Sequence, residues 1–311
     1  MAVRHVLSLA EVGAENLARL VDDSLAIARG FDGGAKPLAG KVVGVYFRGT
    51  STRTRTAFTV GAMKLGAGVI SYGPRDLQIE TGESILDTAR VLSGFLDVLV
   101  IRTNDSFAEM QSFASQQEMA VVNAMSENEH PTQAVADLVT IKEALGRLDG
   151  VHVLYLGEGN NSAAALALAV ALTPNMRLTL VTPEGYGLPD GQLRAAASLA
   201  GGRGSVVEQH HRMDALPRGV DVVYTTRWQT MGVPKSDPDW RERFAPYGVT
   251  QDVMRGVSKP SGTIFLHDLP AVRGAEVVDE VLDGPQSLAF RQARHKMTSA
   301  MAVLAWCVAA D

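Results

Sequence analysis

Segments with the composition of β-strands alternate with segments of helical periodicity along the whole chain, and the series restarts near residue 150. The segment Lys41–Phe47, for example, is short, rich in β-branched residues and bounded by Gly40 and Gly49, and a polar loop and a helical pattern follow it. This order predicts parallel strands with helices on both faces of each sheet. We therefore predict an α/β fold of two consecutive doubly wound parallel-sheet domains.

The restart of the pattern also locates the domain boundary. Predicted strands span 41–47, 68–72, 98–101 and 121–123 in the first series and 151–156, 177–181, 222–224 and 263–266 in the second. Helices are predicted within 49–67, over 8–30, 83–94, 106–116, 131–145 and 286–310, and from residues 161 and 190 onward. With the boundary at Leu148-Asp149-Gly150, we predict a first domain over 1–147 and a second over 148–285, and we expect the final helix, 286–311, to pack back on the first domain.

Composition excludes several classes of function. The 29 Lys and Arg against 34 Asp and Glu give a net charge of -5, which disfavours nucleic acid as a partner and leaves a small anion as the expected ligand. Cys307 is the only cysteine, so neither an intrachain disulfide nor a cysteine zinc site can form. The N-terminus lacks the continuous apolar core of a signal peptide, and the C-terminal apolar stretch is too interrupted to span a bilayer. We therefore expect a cytoplasmic protein without a membrane partner.

The sharpest chemical signal is the segment Ser51-Thr52-Arg53-Thr54-Arg55, which follows a predicted strand and opens a helix. A helix start presents unpaired backbone N–H groups and the positive end of the dipole, and hydroxyls with an arginine placed there can hold a phosphate. The alternative is an ordinary N-cap with solvated arginines. The Gly-rich stretch and lysine of a Walker loop are absent.

Two further polar groups follow predicted strands in the first domain. Arg102 ends an apolar strand, and the alternative to a ligand contact is a solvated loop arginine. Asn123 ends another strand, and His130-Pro131-Thr132-Gln133 opens the next helix, with His130 and Gln133 one turn apart and able to address one ligand. Capping is the alternative for either of these two side chains.

The second domain repeats this placement. Polar side chains follow strands in 157–161 (GEGNN), 225–232 (TTRWQTMG) and 267–270 (HDLP). Trp228 and His267 have alternatives as packed core residues. The third glycine of a dinucleotide fingerprint is missing from 157–161, which disfavours an oxidoreductase. Together, the hydroxyls, arginines, histidines and amides after strand ends predict anion binding with electrostatic polarisation, because ligands of open α/β sheets bind at the carboxyl ends of strands.

With these motifs assembled, the sequence resembles the aspartate/ornithine carbamoyltransferase family over nearly its whole length. The matching segments are STRTR at 51–55, VIRT around Arg102, HPTQ at 130–133, TxxWxTMG at 225–232 and HDLPAVRGAEV at 267–277. The resemblance implies transfer of the carbamoyl group of carbamoyl phosphate to an amine, in an active site between the two domains, without a metal or an organic cofactor. It also implies a homotrimer with shared active sites.

Roles for individual residues follow from the resemblance. Ser51, Thr52, Arg53 and Thr54 would hold the phosphate of carbamoyl phosphate. Arg102 and His130, with Thr54, would donate to the carbonyl oxygen, whereas Gln133 and the Leu269 carbonyl would hold the carbamoyl nitrogen. Arg53, Arg102 and His130 are the predicted catalytic residues. A loop of a neighbouring subunit would add Gln78, near which Glu80 must point away from the phosphate or pair with an arginine.

The acceptor pocket departs from both branches of the family. Ornithine enzymes read D-x-W-x-S-M-G and H-C-L-P, but Thr226 stands in place of that aspartate and Asp268 in place of the cysteine. The aspartate branch has T-R-x-Q, which Thr226-Arg227-Trp228-Gln229 reproduces, and Lys296 stands where ornithine enzymes have a late arginine. We predict that Arg227 and Gln229 face a carboxylate and that Asp268 faces an ammonium group or the attacking amine. The residues predicted to bind the acceptor are Asn161, Thr226, Arg227, Gln229, Thr230, Met231, His267 and Asp268.

The predicted function is N-carbamoyl transfer from carbamoyl phosphate to the amino group of a small amino acid, for example a diamino acid such as 2,3-diaminopropionate. One alternative is an ornithine carbamoyltransferase that makes citrulline. An alternative of another class is a catalytically silent regulatory homologue that binds carbamoyl phosphate.

Overall fold

The computed structural model describes residues 3–30, 36–104, 106–229 and 234–309 of the 311-residue chain. The chain divides into two compact units. Unit 1 comprises Met1–Ala136 with Arg294–Asp311, and unit 2 comprises Asp137–Ala293. Each unit contains one parallel sheet with helices, so the predicted fold class is confirmed.

Unit 1 contains the four-stranded sheet. Its elements are α1 (Leu9–Gly30), β1 (Val42–Phe47), α2 (Arg53–Lys64), β2 (Gly68–Tyr72), a 3-10 helix (Gln78–Thr81), α3 (Ile85–Ser93), β3 (Val98–Arg102), α4 (Phe107–Phe113), β4 (Ala120–Met125) and the start of α5 (Pro131–Leu145). The strands are parallel in the order β2-β1-β3-β4. All residues of β3 and β4 are buried, as their continuous apolar runs require.

Unit 2 contains the five-stranded sheet. Its elements are β5 (His152–Leu156), α6 (Asn161–Leu172), β6 (Arg177–Val181), α7 (Asp190–Ala200), β7 (Val206–His210), a 3-10 helix (Met213–Ala215), β8 (Val222–Thr225), α8 (Trp240–Phe244), a 3-10 helix (Ala245–Tyr247), α9 (Gln251–Val257), β9 (Ile264–His267) and α10 (Asp279–Leu282). The strands are parallel in the order β7-β6-β5-β8-β9. The last helix, α11 (Ala289–Val308), starts in unit 2, and its residues from Arg294 onward belong to unit 1.

Strand β7 is absent from the sequence prediction. It lies at the sheet edge, none of its residues is buried, and its sequence VVEQH carries no continuous apolar run. An edge strand of this kind has too few apolar positions to be recognised by periodicity.

Strand order places a crevice at one point of each sheet. In unit 1 the chain runs from β1 outward to β2 and returns to β3 on the other side of β1, and in unit 2 it does the same at β5 and β8. The carboxyl ends of adjacent strands diverge at such a reversal, and loops there line a ligand site. The candidate residues must therefore be sought after β1 and β3 in unit 1 and after β5 and β8 in unit 2.

Glycine is required in the loop that follows β5. A Cβ atom on Gly159 would lie 2.4 Å from the backbone carbon of Gly187, so no other residue fits this close approach of two loops. Gly157 has a φ of 117°, which side chains rarely allow. These two glycines shape the backbone on which Glu158 and the start of α6 are held.

Among the described residues, no helix combines the length and the hydropathy that crossing a membrane would require. Within the same residues, no group of three or more His, Cys, Asp or Glu side chains is arranged to hold a metal ion.

Candidate active site

The carboxyl ends of β1 and β3 bring the first candidate residues of unit 1 together. Phe47 and Arg102 are register partners at the ends of these strands. Arg102 is 8% exposed, and its Nη1 donates to Thr54 Oγ1 at 3.3 Å. Two residues predicted from separate motifs, 48 positions apart in the sequence, are thus in direct contact.

The start of α2 has the features of an anion site more than those of a self-capped helix. Thr52 occupies the N-cap position, but its side chain makes no cap hydrogen bond. Ser51 Oγ accepts only a long bond of 3.4 Å from the Arg55 amide. A start of α2 without a strong side-chain cap leaves its dipole and N–H groups available to an anion.

The two arginines of this segment point to different partners. The Arg55 guanidinium donates to the Phe47 carbonyl at 3.3 Å and lies 5.3 Å from the centroid of the Phe47 ring. It therefore packs back onto β1. Arg53, the first residue of α2, is half-buried.

A hydrogen-bonded turn presents His130 at the start of α5. The Asn123 side chain donates to Ser126 Oγ at 3.0 Å, and the Ser126 amide and hydroxyl both donate to the Glu129 carbonyl. The Glu129 carboxylate accepts from the Leu9 amide at 2.8 Å, at the first turn of α1. These bonds hold the residue before His130 at both its backbone and its side chain.

His130 itself is buried, in surroundings that favour its neutral form. Its side chain is 5% exposed, and its buried Nδ1 has no hydrogen-bond partner among the described residues. Burial lowers the pKa of His130 well below its ordinary value, and the charges of Lys296 and Arg102 lower it further. Buried polar atoms are almost always hydrogen-bonded, so an orphaned imidazole nitrogen points to a partner supplied by a ligand.

Lys296 lies in the same cluster. Its Nζ donates to Gln133 Oε1, and both side chains are buried. A small cavity adjoins them, and it is lined by Thr54, Phe58, His130, Thr132, Gln133 and Lys296. The sequence prediction noted Lys296 only as a departure from the ornithine branch. Its contact with Gln133 depends on the packing of α11, more than 160 residues away in sequence.

Gln78 lies apart from these contacts, exposed in the 3-10 helix after β2. Its Oε1 accepts from Thr81 Oγ1 at 2.7 Å. Glu80 lies 3.7 Å from Arg48, which also pairs with Glu109 at 2.9 Å. Glu80 therefore pairs with an arginine, one of the two arrangements the sequence allowed.

The carboxyl ends of β5, β8 and β9 form a second polar cluster, in unit 2. Asp268 follows β9, and its two carboxylate oxygens accept from Thr226 Oγ1 at 2.9 Å and from Ser162 Oγ at 2.8 Å. The Asp268 side chain is 13% exposed. Its close contacts in the described part of the chain are these two hydroxyls and, at 3.6 Å, Nδ1 of His267, with no lysine or arginine among them. A nearly buried carboxylate without a cationic partner is set to receive one from a ligand.

Asn160 and Ser162 were not selected by the sequence reasoning, which chose Asn161 between them. Asn160 Oδ1 caps α6 by accepting from the Ser162 and Ala163 amides at 3.0 and 3.1 Å, and its Nδ2 lies 3.4 Å from Thr226 Oγ1. The signal available was the N-cap pattern directly after a buried strand. Asn161 is buried in the first turn of α6.

His267 acts on the backbone around Asp268. It is fully buried, and its Nδ1 accepts from the Leu269 amide at 2.8 Å, so the ring proton is on Nε2, which faces Glu276 at 3.3 Å. Leu269 has a φ of 53°, a left-handed conformation that this bond helps to hold. The assignment of the Leu269 carbonyl to the carbamoyl nitrogen stays a prediction.

The segment after β8 is described up to Gln229. Arg227 and Gln229 are half-buried, and no ion pair of Arg227 occurs within the described residues. Thr230 and Met231, two of the predicted acceptor residues, lie outside the described residues.

The two clusters have opposite electrostatic character. In unit 1, Lys296 and Arg102 both lower the pKa of His130. In unit 2, burial raises the pKa of Tyr155 well above its ordinary value, and the negative charges of Asp268 and Glu158 raise it further. The first cluster is suited to an anion and the second to an ammonium group.

Comparisons with known proteins match the two halves of the chain to two domains of one family. A family model described as "Aspartate/ornithine carbamoyltransferase, carbamoyl-P binding domain" matches residues 4–143, and one described as "Aspartate/ornithine carbamoyltransferase, Asp/Orn binding domain" matches 149–307. Among relatives, the ornithine carbamoyltransferase of Oceanobacillus iheyensis is 36% identical over 305 residues, which cover 97% of this chain and 93% of the relative. That of Symbiobacterium thermophilum is 41% identical over 270 residues, 86% of each chain.

Solved structures give the same result. The ornithine carbamoyltransferase from Pyrococcus furiosus superposes with a TM-score of 0.91 at 34% identity and covers 98% of this chain and 96% of its own. The enzyme of that name from Gloeobacter violaceus superposes with a TM-score of 0.87, also at 34% identity, over 99% of this chain and 100% of its own.

Proposed function

Since the chain belongs to the aspartate/ornithine carbamoyltransferase family and is a carbamoyltransferase, we propose that it transfers the carbamoyl group of carbamoyl phosphate to the amino group of a small amino acid. The resemblance drawn from the motifs is confirmed by both domain matches. The observation that carries the proposal is the buried Nδ1 of His130, unpartnered among the described residues, in a cluster with Arg102 and Thr54.

The start of α2 is proposed to bind the phosphate. A phosphate dianion gains from the helix dipole, from backbone N–H groups and from charge-assisted bonds to a guanidinium. Ser51, Thr52, Arg53 and Thr54 occupy that turn, and Arg55 is excluded from the role because its guanidinium packs on Phe47.

Arg102, Thr54 and neutral His130 are proposed to polarise the carbonyl of carbamoyl phosphate. As the amine nitrogen forms a bond to the carbonyl carbon, the carbonyl oxygen gains negative charge, and the donors around it stabilise the transition state more than the ground state. The bond from carbon to the phosphate oxygen then breaks. The proton of the attacking amine leaves with the phosphate, so the products are a ureido compound and hydrogen phosphate.

The acceptor is proposed to bind through Asp268 and Arg227. Asp268 offers a nearly buried carboxylate to an ammonium group, and the half-buried Arg227 with Gln229 offers donors to a carboxylate. A small amino acid with a second amine has both groups and a nucleophile.

Ornithine is the first acceptor to test, because relatives that are 36% and 41% identical carry the name ornithine carbamoyltransferase. A shorter diamino acid is the second candidate. Thr226 donates to Asp268, so the pocket carboxylate is at 268 and no carboxylate stands at 226, where ornithine enzymes have an aspartate. A displaced carboxylate would suit an acceptor of different length.

A panel assay tests the proposal. The enzyme is incubated with carbamoyl phosphate and, separately, ornithine, 2,4-diaminobutyrate, 2,3-diaminopropionate, lysine, aspartate and putrescine, and phosphate and ureido product are both measured. We expect equal amounts of the two products with a diamino acid and none with putrescine, which has no carboxylate. Absence of ureido product with every amine would refute the proposal, and turnover of aspartate alone would refute the role of Asp268.

Gln78 is proposed to serve the site of a second copy in a homotrimer, as the family resemblance implies. Its exposed position supports this. Mixing the inactive variants Gln78→Ala and Arg102→Ala, followed by subunit exchange, should then restore part of the activity, whereas sites complete within one chain would stay inactive.

A further inference from the structure

Four aromatic side chains of unit 2 form a cluster, and three of them lie around a lysine ammonium group. Phe244 lies 5.4 Å from Trp228, 5.6 Å from Trp240 and 4.8 Å from Tyr186 between ring centroids, and we call these four rings the aromatic cluster. Lys235 Nζ lies 4.8 Å from the centroid of Tyr186, 4.9 Å from Phe244 and 5.6 Å from Trp240. At these distances each ring attracts the cation through its quadrupole.

Lys235 also forms an ion pair with Glu158. The side chains are only 8% and 15% exposed. Taking two charges out of water is costly, and the pair is retained only where the geometry satisfies both groups. The three rings and the carboxylate together supply that environment for one ammonium group.

The two partners lie at the ends of the segments proposed to bind the acceptor. Glu158 precedes Asn160 and Asn161, at the start of α6. Lys235 follows the segment that carries Thr226, Arg227 and Gln229. Trp228, within that segment, packs in the aromatic cluster, and its Nε1 would be 2.9 Å from a Cβ atom on Gly157. The ion pair therefore joins the loop after β8 to the loop after β5.

The pair also sets the charge of the acceptor cluster. Glu158 and Asp268 both act on Tyr155, whose hydroxyl donates to the Glu158 carbonyl at 2.8 Å. Lys235 compensates the charge of Glu158, whereas among the described residues Asp268 has no lysine or arginine beside its carboxylate.

We propose that Lys235 is a positioning residue that holds the 226–229 segment against the loop after β5 and neutralises Glu158, and that it thereby sets the affinity and the charge preference for the acceptor. The inference rests on the proposed function, in which these loops bind the acceptor. It assigns no contact between Lys235 and either substrate.

Kinetics of four variants test the proposal: Lys235→Met, Lys235→Arg, Glu158→Gln and the double variant Lys235→Met/Glu158→Gln. Lys235→Met fills the cluster but removes the cation of the pair with Glu158, and we expect the acceptor KM to rise at least tenfold while the Kd for carbamoyl phosphate changes less than twofold. Lys235→Arg keeps the charge and should lie within about threefold of the wild-type KM. The double variant removes both charges and should recover part of the loss, because replacing both members of a buried pair costs less than removing one.

The preference of the enzyme for a doubly or singly aminated acceptor is a second measurement, and a simple loss of packing would not change it. Lys235→Met adds one net negative charge near Asp268, so kcat/KM for a diamino acid relative to its monoamino analogue should increase, and the double variant should return this ratio to the wild-type value. A wild-type acceptor KM in Lys235→Met, or an equal loss in Lys235→Met and the double variant, would overturn the proposal.

Amide hydrogen exchange separates failure of this inference from failure of the proposed function. If the wild-type enzyme turns over no amine, the proposed function fails, but faster exchange at residues 226–229 in Lys235→Met than in Lys235→Arg would still support the positioning role. Unchanged exchange in an enzyme that turns over a diamino acid would refute the positioning role alone. Calorimetric measurement of carbamoyl phosphate binding shows whether each variant is folded.

Discussion

Unit 1 and unit 2 place polar side chains at the same point of similar sheets, but with opposite charge. After β1 and β3, unit 1 gathers Arg102, Lys296 and a histidine that burial and these cations keep neutral. After β5, β8 and β9, unit 2 gathers hydroxyls around Asp268. The comparison teaches that the fold supplies the location, whereas the side chains at the strand ends determine which ligand charge is accepted.

The neutrality of His130 is part of this difference. A protonated histidine would add a third cation to Arg102 and Lys296, and the cluster avoids that by lowering the pKa. Unit 2 also limits the number of like charges in its cluster, but with an ion pair. Lys235 compensates the charge of Glu158, and Asp268 has no lysine or arginine partner among the described residues.

Removing the arginine of unit 1 is the strongest way to break the comparison. For Arg102→Ala we expect kcat to fall by about 10²–10³-fold, or roughly 3–4 kcal/mol of transition-state stabilisation, because a preorganised donor to the developing oxyanion is lost. Arg55→Ala is the matched control, since its guanidinium packs on Phe47, and it should keep kcat within about fivefold. Steady-state phosphate release measures both, and similar losses in the two variants would contradict the assignment.

Removing the charge of Asp268 should affect only the acceptor. In Asp268→Asn we expect the KM of the amine to rise about 10–100-fold, because a charge-assisted bond is worth about 1.5–3 kcal/mol, with little change in the Kd of carbamoyl phosphate. The double variant Thr226→Asp/Asp268→Cys restores the ornithine-branch pattern and should favour ornithine over shorter diamino acids. Equal effects of Asp268→Asn on both substrates would show that the two clusters are not separate.

Glu129 sharpens the comparison through the pH dependence of stability. Burial raises the pKa of Glu129 from 4.5 to about 7. Between these pH values the folded chain holds a proton that the unfolded chain has lost, so the free energy of unfolding decreases as pH rises and levels off above about 7. In Glu129→Gln this decrease is absent, and from pH 5.5 to 8 the variant should gain about 2 kcal/mol relative to wild type. Urea unfolding of both proteins at pH 5.5 and at pH 8 measures this difference in the free energy of unfolding.

The exposed Glu127 provides the control for that experiment. Glu127→Gln should show the same pH dependence as the wild type. A Glu129→Gln variant that tracks the wild type from pH 5.5 to 8 would contradict the buried, protonated state inferred for this carboxyl group.

Most of the fold could be predicted because its signals are local. The apolar runs of β3 and β4 are buried on both faces, and the predicted helix at 131–145 agrees with α5 at both ends. Strand β7 was not predicted because an exposed edge strand needs no apolar run. The motifs selected Thr54, Arg102, His130 and Asp268, which the structure places in the two polar clusters, whereas Ser162 and Lys235 carry no signal of their own and Asn160 carries only an N-cap pattern.

Local sequence was therefore sufficient for most of the strands and helices, for the two parallel sheets and for the residue types at their carboxyl ends, since periodicity and strand-end chemistry depend on near neighbours. It was not sufficient for β7 or for the short helices α8, α9 and α10. It was not sufficient for the pairing of Thr226 and Ser162 with Asp268, of Lys296 with Gln133, or of Lys235 with Glu158. Those contacts join residues 42 to 163 positions apart. The charge of each cluster depends on them, because a side chain's electrostatic environment is set by what lies beside it in space and not by what precedes it in the chain.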